Sequence, residues 1–469
     1  MRKVTVILFA MICFLGACSH SEKDGIKPTD MIKEISTELV TEEYLSTTKE
    51  VLLSGVKKSE KDSTTSEPEV RTEYSVPSTG TTDKSSSLMP EKVEYDTIYK
   101  IAIYTDMLMD EAEAAAILYA EEQYGDTIVR KNTTFDPVTG GLLEREITIR
   151  EAVEFAENPD IAALLFITVG RVPEPSEVLA AIKEARPDIF CIALNCYPWS
   201  QVSTIEDTLM DFVDIELSID QIATAKKAVE QAKKMGAEVC IDYVVPDNNY
   251  FEIGGEVYQK SRVLPEVRST IETECLRAGM KYIEELGPNY SEPDGFIGIG
   301  NWPYDKISDN FIMYGNNVCQ FSSQCLIQRK IEQEARYNKG IIVQLCHPGP
   351  FHHWWKGFFH DVELTDYQAN FGDLAWAVNK KNEDLKMTRS SGRYATWRVP
   401  FTMAATTASV EYAVRYCKGE IKNKVNYEEL VICFKKAMDF YGVGDVEFDL
   451  NLDATNNNHF MFTQEYVAY

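Results

Sequence analysis

The sequence predicts an α/β protein with two lobes, each a parallel sheet flanked by helices, behind a disordered N-terminal tether. Three observations lead to this prediction. From residue 97 onward, short apolar runs alternate with helical patterns, as in parallel sheets whose strands are joined by helices. A second series of this kind follows the first without a break. Residues 18–96 lack the alternation and are rich in serine and threonine.

The first 17 residues have the organisation of a secretory signal. Arg2 and Lys3 precede an apolar run at 4–15, which is too short to span a bilayer. The run ends at Leu15-Gly16-Ala17-Cys18, which resembles the lipobox of bacterial lipoproteins. The resemblance implies that Cys18 is acylated and that the lipid alone holds the protein at the outer side of the membrane. The alternative is an ordinary cleavable signal with an incidental cysteine.

Residues 18–96 are predicted to be a lipid-anchored, disordered linker. Between Ser59 and Ser87, fourteen of 29 residues are serine or threonine. Such a segment buries too little apolar surface to offset the entropy lost when a chain becomes ordered. A weak amphipathic pattern between Met31 and Leu45 is interpreted as a transient helix within the linker.

Charge and cysteine content narrow the class of function. The 469 residues include 47 Lys and Arg against 74 Asp and Glu, which gives a formal net charge of −27. Nucleic-acid binding needs basic patches, so we expect no nucleic-acid partner. Of the 11 cysteines, nine remain after Cys13 and Cys18, without zinc-ribbon spacing. We expect most of these to be buried thiols; the alternative is a disulfide framework.

The first α/β series predicts lobe I, at 97–237 plus 398–445. Its predicted strands are 101–104, a strand beginning at Ile128, 161–167 and 189–194. Its predicted helices are 110–125, a helix opened by the capping box Thr148…Glu151 and ending at Pro159, 176–186, and one that ends at Gly236.

The second series predicts lobe II, at 238–397 plus 446–469. Its predicted strands are 239–245, 311–314 and 341–345, and its predicted helices are 265–286 and 323–337. Two consecutive series favour two similar lobes with a cleft between them. One large doubly wound sheet is the alternative.

The C-terminal segment carries a resemblance to a known fold. A predicted strand at 394–400 precedes a predicted helix at 404–416 and a Lys-Gly-Glu-Ile sequence at 418–421. This is similar to the segment by which type I periplasmic sugar-binding proteins cross back into their first lobe. Residues 97–469 also resemble a family of bacterial lipoproteins of unknown function, through the segments 160–167, 233–237, 391–397 and 410–413. The resemblance implies a fold but no ligand.

The candidate binding residues lie at predicted strand ends, because open α/β sheets bind ligands beyond the carboxyl ends of their strands. Asparagine offers a donor and an acceptor without charge, and Trp and Tyr offer flat faces to a sugar or a base. For each residue the alternative is a loop or N-cap role. The candidates are Thr105, Asp106, Asn132, Thr168, Asn195, Tyr197, Trp199, Tyr243, Asn316 and His347.

Two arginines near the predicted return to lobe I are further candidates. Arg398 stands two residues before Pro400, where the similar sugar-binding segment carries a polar ligand contact. A guanidinium binds a carboxylate, a phosphate or a vicinal diol through two parallel hydrogen bonds. This arginine therefore departs from the sugar-binding segment, which counts against a neutral sugar and admits an anionic solute. The alternative for Arg398 is a salt bridge between the lobes. Arg393 belongs to the same segment and is also expected to contact the ligand.

A loop at 346–360 contains four of the six histidines. We expect it to be a loop of the cleft that contacts the ligand through His347, His352 and Trp354. Imidazole and thiolate also bind zinc, so a metal site is an alternative. No two of these histidines have the i, i+4 spacing of helical ligand pairs, and packing on a lobe surface is the third possibility.

Motifs of enzymes and of calcium loops are absent from the sequence. It contains no G-x-S-x-G, Walker A or H-E-x-x-H motif. The segment 449–453 begins like a calcium loop, but Ala454 and Phe460 stand where glycine and the bidentate acid should be. We therefore expect a non-catalytic protein without a cofactor or resident metal.

These observations together predict a lipid-anchored extracytoplasmic solute-binding protein. Its expected ligand is a small polar solute such as a sugar, a nucleoside or a small carboxylate, and its expected partner is an ABC permease. The same fold acting as a ligand sensor or surface interaction module is the alternative. A metal-binding protein that uses the 346–360 loop is the third reading.

Overall fold

A computed structural model of the chain describes residues 99–105, 111–132, 145–167, 175–194, 209–244, 250–253, 256–259, 263–287, 305–322, 325–345, 348–349, 392–453 and 457–468. The predicted signal, Cys18 and the predicted linker lie outside these residues. None of the helices within them is long and apolar enough to cross a membrane.

The strands and helices of these residues alternate along most of the chain. The strands are β1 (Lys100–Thr105), β2 (Ile128–Asn132), β3 (Ile161–Ile167), β4 (Phe190–Leu194), β5 (Ile215–Ile219), β6 (Val239–Val244), β7 (Tyr250–Ile253), β8 (Glu256–Gln259), β9 (Lys281–Leu286), β10 (Val318–Ser322), β11 (Ile342–Val343), β12 (Tyr394–Thr396), β13 (Phe448–Leu452), β14 (His459–Gln464) and β15 (Val467–Ala468). The helices are α1 (Glu111–Tyr124), α2 (Arg145–Ala156), α3 (Pro175–Ala185), α4 (Leu209–Phe212), α5 (Gln221–Lys234), α6 (Val263–Arg277), α7 (Asp305–Tyr314), α8 (Cys325–Asn338), α9 (Phe401–Cys417) and α10 (Tyr427–Phe440).

The first lobe is built on a seven-stranded sheet with the order β13-β14-β5-β4-β3-β1-β2. Neighbouring strands are parallel except for the antiparallel pair β13–β14. Helices α2 and α3 pack on one face of this sheet, and α1 and α9 pack on the other. Strand β3 is accordingly almost wholly apolar and almost wholly buried, as expected of a parallel strand covered on both faces.

The second lobe is built on two short sheets joined edge to edge. One has the order β9-β6-β10 and is parallel, and the other has the order β11-β12-β15. A parallel bridge between Cys319 and Ile341 connects them. Helix α5 packs against α6 and β11, and α7 packs against α8, so this lobe is also a sheet flanked by helices. The prediction of two α/β lobes is confirmed.

The chain passes between the two lobes three times. The first crossing is at Asp220, between β5 and α5; the second is at 397–400, between β12 and α9; and the third is at 465–466, between β14 and β15. The structure therefore moves the predicted lobe boundaries. Helix α5 packs with the second lobe, while β13 and β14 extend the sheet of the first.

The apolar run at 311–314 was predicted to be a strand, and this prediction is wrong. It forms the last turn of α7, because Ile307, Asn310 and Phe311 are buried at helical spacing. Ile312 and Met313 lie on the exposed side of the helix, with 77% and 68% of their surface accessible. A four-residue apolar run fits either structure, so the pattern did not separate them.

Two predicted helix boundaries are also corrected. The predicted helix 265–286 ends at Arg277, after which Gly279 adopts a left-handed φ of 68° and β9 follows. Helix α2 begins at Arg145, so Thr148 lies inside the helix and is not its N-cap.

The cysteines whose side chains are described are free thiols, and all of them except Cys417 are buried. The expectation of buried thiols therefore holds for this part of the chain. Cys240 and Cys319 lie opposite each other in the β6–β10 register, inside the core of the second lobe.

Candidate functional site

The three crossings are bonded to one another where they connect the lobes, and we call this region (Asp220, 397–400 and 465–466) the hinge. The backbone N–H of Asp220 in the first crossing donates to the carbonyl oxygen of Phe462 at 2.8 Å, beside the third crossing. Nε2 of Gln464 donates to the carbonyl oxygen of Val399 in the second crossing at 2.6 Å. The fully buried Trp397 ring packs edge-on against Phe462, with ring centroids 5.7 Å apart. The hinge is therefore a packed structure with defined partners.

Gln344 is the polar centre of the hinge on the side of the second lobe. Its side chain is fully buried, and its Oε1 accepts hydrogen bonds from Thr396 Oγ1 at 2.5 Å and from the Gly349 N–H at 3.0 Å. Its carbonyl oxygen accepts from the Tyr466 hydroxyl at 2.7 Å. A Cβ on Gly349 would lie 2.7 Å from Cγ of Pro400, so the start of the histidine-rich loop is held directly against the second crossing.

We expect Gln344→Leu to lower the free energy of unfolding by about 2 kcal/mol, measured by urea denaturation. The change leaves the Thr396 hydroxyl and the Gly349 N–H buried without their acceptor, and an unsatisfied buried polar group costs about 1–3 kcal/mol. The matched control is Gln221→Leu at an exposed position of α5. Equal unfolding free energies for the two variants would contradict the role given to Gln344.

Thr105 and Asn132 end neighbouring parallel strands of the first lobe. Thr105 is fully buried and donates its hydroxyl to Oε1 of Glu113, which is itself fully buried in the first turn of α1. Asn132 is half-buried at the end of β2. The carboxyl edge of this sheet thus carries a hydroxyl and a carboxylate side by side. Glu113 was missed by the sequence reasoning, although an acid in the first turn after a strand is the signal that could have found it.

Tyr243 is a buried member of a polar network beneath α7. Its hydroxyl donates to Oε1 of Gln320 at 2.6 Å and accepts from Nδ2 of Asn310 at 2.9 Å. Nε2 of Gln320 donates to the carbonyl oxygen of Ile307. Burial raises the pKa of the Tyr243 hydroxyl. In the structure this hydroxyl is hydrogen-bonded to protein side chains and helps to hold α7 on the sheet.

Arg398 lies in the second crossing and is paired only loosely. Its Nη1 lies 3.3 Å and 3.5 Å from the two carboxylate oxygens of Asp445. The Arg398 side chain is 24% exposed and that of Asp445 is 72% exposed. An ion pair with so exposed a partner contributes at most about 1 kcal/mol, so another anion can replace Asp445 at little cost.

Asn316 and Arg393 lie at the opposite edge of the second lobe. Asn316 precedes β10, so the expectation that it follows a strand is wrong; the cause is that the residues before it form α7. Arg393 precedes β12, and its Nη2 donates to the carbonyl oxygen of Asn316 and, at 3.1 Å, to Oδ1 of Asn317. Burial lowers the pKa of Arg393. The two residues meet at the amino edge of the sheet, away from the carboxyl ends.

The other predicted site residues are not among those the structure describes. In the part of the chain that it does describe, no group of three or more His, Cys, Asp or Glu side chains is arranged to hold a metal ion. Only Pro348 and Gly349 of the 346–360 loop fall within that part. The residues outside it are Asp106, Thr168, Asn195, Tyr197, Trp199, His347, His352 and Trp354.

Comparison with solved structures gives matches that cover most of this chain. A protein described in its crystal structure as a transcriptional regulator of Clostridium difficile 630 superposes with a TM-score of 0.60 at 16% identity, over 79% of this chain and 99% of that chain. A sugar ABC transporter protein from Actinomyces odontolyticus gives 0.46 at 10% identity, over 80% and 97%. A periplasmic sugar-binding protein from Legionella pneumophila gives 0.40 at 10% identity, over 70% and 100%. The fold is that of the type I periplasmic binding proteins.

Comparison of the sequence with family models identifies the family of the chain. Characterised proteins gave no significant match to the chain. The model of a family described as a protein of unknown function, DUF3798, matches residues 99–394. This range is more than half of the chain and extends from β1 to the first residue of β12. The chain therefore belongs to the DUF3798 family.

Proposed function

We propose that the protein is a lipid-anchored extracytoplasmic solute-binding protein whose two lobes close on a small polar ligand. The observation that carries this proposal is the hinge: two lobes joined by three short crossings, with polar residues at strand ends. Such a connection lets rigid lobes move as bodies, and a ligand that contacts both lobes shifts the population toward the closed state.

The polar groups beside the hinge support a ligand rich in hydroxyl or carboxyl groups. Arg398 is held only by an exposed carboxylate that a ligand anion can displace. Asn132, half-buried at the end of β2, offers an uncharged donor and acceptor at the carboxyl edge of the first sheet. A sugar, a nucleoside or a small carboxylate fits these groups, because each presents several hydrogen-bonding atoms on a small frame.

The location of the protein, outside the cytoplasmic membrane on a lipid anchor, is part of the same proposal. The apolar run at 4–15 followed by Cys18 supports export and acylation, and the serine- and threonine-rich segment after it supports a tether. A tethered solute-binding protein next to the membrane would pass its ligand to an ABC permease.

A thermal-shift screen with sugars, nucleosides, amino acids and carboxylates tests this function. A solute at a hundred times its Kd is expected to stabilise the folded protein by about 2.7 kcal/mol, which raises Tm. Arg398→Ala is expected to lose most of the shift, because the guanidinium beside the hinge is removed. The control is Arg150→Ala, which removes an exposed arginine whose partner is Glu154 on the same helix and should keep the shift.

Other outcomes of the screen would contradict the proposal. Solutes that leave Tm unchanged while chelators lower it would favour the metal-binding reading of the 346–360 loop. A shift that persists undiminished in Arg398→Ala would place the ligand away from the hinge. Chemical turnover of a stabilising solute would contradict a purely binding role.

A further inference from the structure

Ser218, His459 and Asp453 form a continuous hydrogen-bonded relay in the first lobe. Oγ of Ser218 lies 2.7 Å from Nε2 of His459. Nδ1 of the same ring lies 2.9 Å from Oδ2 of Asp453. This is the connectivity of a nucleophile, a general base and an orienting acid. The proposed solute site does not use it.

Regular sheet geometry positions the three residues. Ser218 lies on β5 opposite Met461 of the parallel strand β14, so His459, two residues earlier, shares its face of the sheet. Asp453 directly follows β13, and its backbone N–H donates to the carbonyl oxygen of His459 at 2.9 Å. The relay is therefore held by strand register and not by a loop.

Charge and burial set the protonation state of the ring. Burial lowers the pKa of His459, and the hydrogen bond and charge of Asp453 and the charge of Asp220 raise it in part, with a net shift downward. Glu216 lies opposite His459 in the register and adds a further acidic neighbour. Because the net shift lowers the pKa of His459 from its ordinary value of 6.5, the ring is neutral at pH 7. With Nδ1–H donating to Asp453, Nε2 carries the lone pair that accepts the Ser218 hydroxyl proton.

We propose that Ser218 is an activated nucleophile that accepts an acyl or phosphonyl group from a small electrophile. The Ser218 oxygen forms a bond to the electrophilic carbon or phosphorus, and the bond from that atom to the leaving group breaks. The hydroxyl proton passes to Nε2 of His459 and then to the leaving group. Ser218 is 7% exposed and His459 is 3% exposed, so the pair excludes a large reagent.

The product is a stable adduct, and repeated turnover is not expected. Strand β5 pairs with β14 at Ser218, and the backbone N–H groups of Glu216 and Asp220 on either side donate to the carbonyl oxygens of Asn458 and Phe462. Among the described residues, this leaves no pair of backbone donors at Ser218 to stabilise an oxyanion. Loss of one such donor in a hydrolase costs about 10²–10³-fold in rate. The relay therefore makes Ser218 a site of single modification.

The test is to treat the full chain with a small alkyl fluorophosphonate and to map the adduct by peptide mass spectrometry. We expect one adduct per chain, at Ser218, formed at a rate that rises with pH as His459 loses its proton. Ser218→Ala should carry none. His459→Gln should react about 10²-fold more slowly or worse, the usual contribution of a general base.

Ser308 provides the matched control. Its hydroxyl donates to Oε2 of Glu334 at 2.6 Å. It should carry no adduct, and Ser308→Ala should leave the labelling at Ser218 unchanged. Asp453→Asn tests the relay if His459→Gln fails to fold, and it should slow labelling without a matching fall in Tm. No adduct at Ser218 in the folded protein, or an unchanged rate in both relay variants, would overturn the proposal.

Discussion

Replacing Trp397 with alanine is expected to lower the free energy of unfolding by about 4 kcal/mol. Removing a fully buried large aromatic side chain typically costs about 3–5 kcal/mol, because the lost transfer free energy adds to that of the cavity left behind. Trp397 is fully buried in the second crossing, and its ring centroid lies 5.7 Å from that of Phe462 and 6.3 Å from that of Tyr466. The cavity would therefore open where the crossings meet.

Urea denaturation followed by circular dichroism measures this loss. The control is Tyr337→Ala on α8, which removes a large aromatic side chain that is 81% exposed and should cost little. A loss of less than about 1 kcal/mol for Trp397→Ala would mean that the hinge does not depend on the packing of this ring.

Asp242→Asn is expected to stabilise the protein at pH 8 and to have little effect at pH 4. Asp242 is 4% exposed, and burial, reinforced by the charge of Glu284, raises its pKa from 3.8 to about 7, against the smaller lowering by the Tyr282 hydroxyl and the charge of Arg268. The folded state therefore prefers the neutral carboxyl group. The stability it contributes is complete below the unfolded pKa and is lost as pH rises from about 4 to about 7.

The neutral amide of the variant escapes this loss. Three pKa units correspond to about 4 kcal/mol, so we expect Asp242→Asn to exceed the wild type by about 2–4 kcal/mol at pH 8. This difference is measured by the free energies of unfolding of both proteins from pH 4 to pH 8. Parallel curves of unfolding free energy against pH would contradict a raised pKa for Asp242. Asp188→Asn is a control of opposite sign, since its hydrogen bond with Arg186 lowers the pKa of Asp188 to about 2.

The buried elements of the fold were predictable from the sequence because both faces of their sheets are covered. Strands β3 and β4 are apolar throughout, and helices α3 and α8 lie within two residues of their predicted bounds. The exposed elements were not predictable in the same way. Strand β9 is half-exposed, and its polar and apolar residues do not alternate, so its sequence was interpreted as the continuation of the helix before it.

The strand pairing at the end of the first sheet could not be predicted from the sequence either. Strand β14 follows β13 directly in the chain but pairs in parallel with β5, which lies far away in sequence. No local pattern specifies such a partner. Helix α10, by contrast, could have been predicted, because Asn426 is a favoured N-cap residue. In the structure its side chain accepts a hydrogen bond from the Glu429 N–H.

The residues of the candidate site were likewise predictable only in part. Thr105 lies at the end of β1, as the strand-end rule predicts, and its contact with a ligand stays a prediction. The rule failed for Asn316 because a helix was taken for a strand. Gln344 and Gln464 were not predicted. Gln344 is a buried amide in an otherwise apolar stretch, a pattern that costs stability unless the amide is bonded, whereas Gln464 lies between Thr463 and Glu465 and carries no such signal. Their partners come from distant parts of the chain, so only the folded structure identifies them.

The three crossings also decide which fragments of the protein can stand alone. Neither half of the molecule is a single stretch of polypeptide, so no one cut in the gene separates them. A truncation before residue 448 would strip two edge strands from one half and, with β15, a third from the other. Expression of an isolated half therefore requires splicing its distant pieces with a new linker, and proteases that trim the carboxyl terminus would weaken both halves at once.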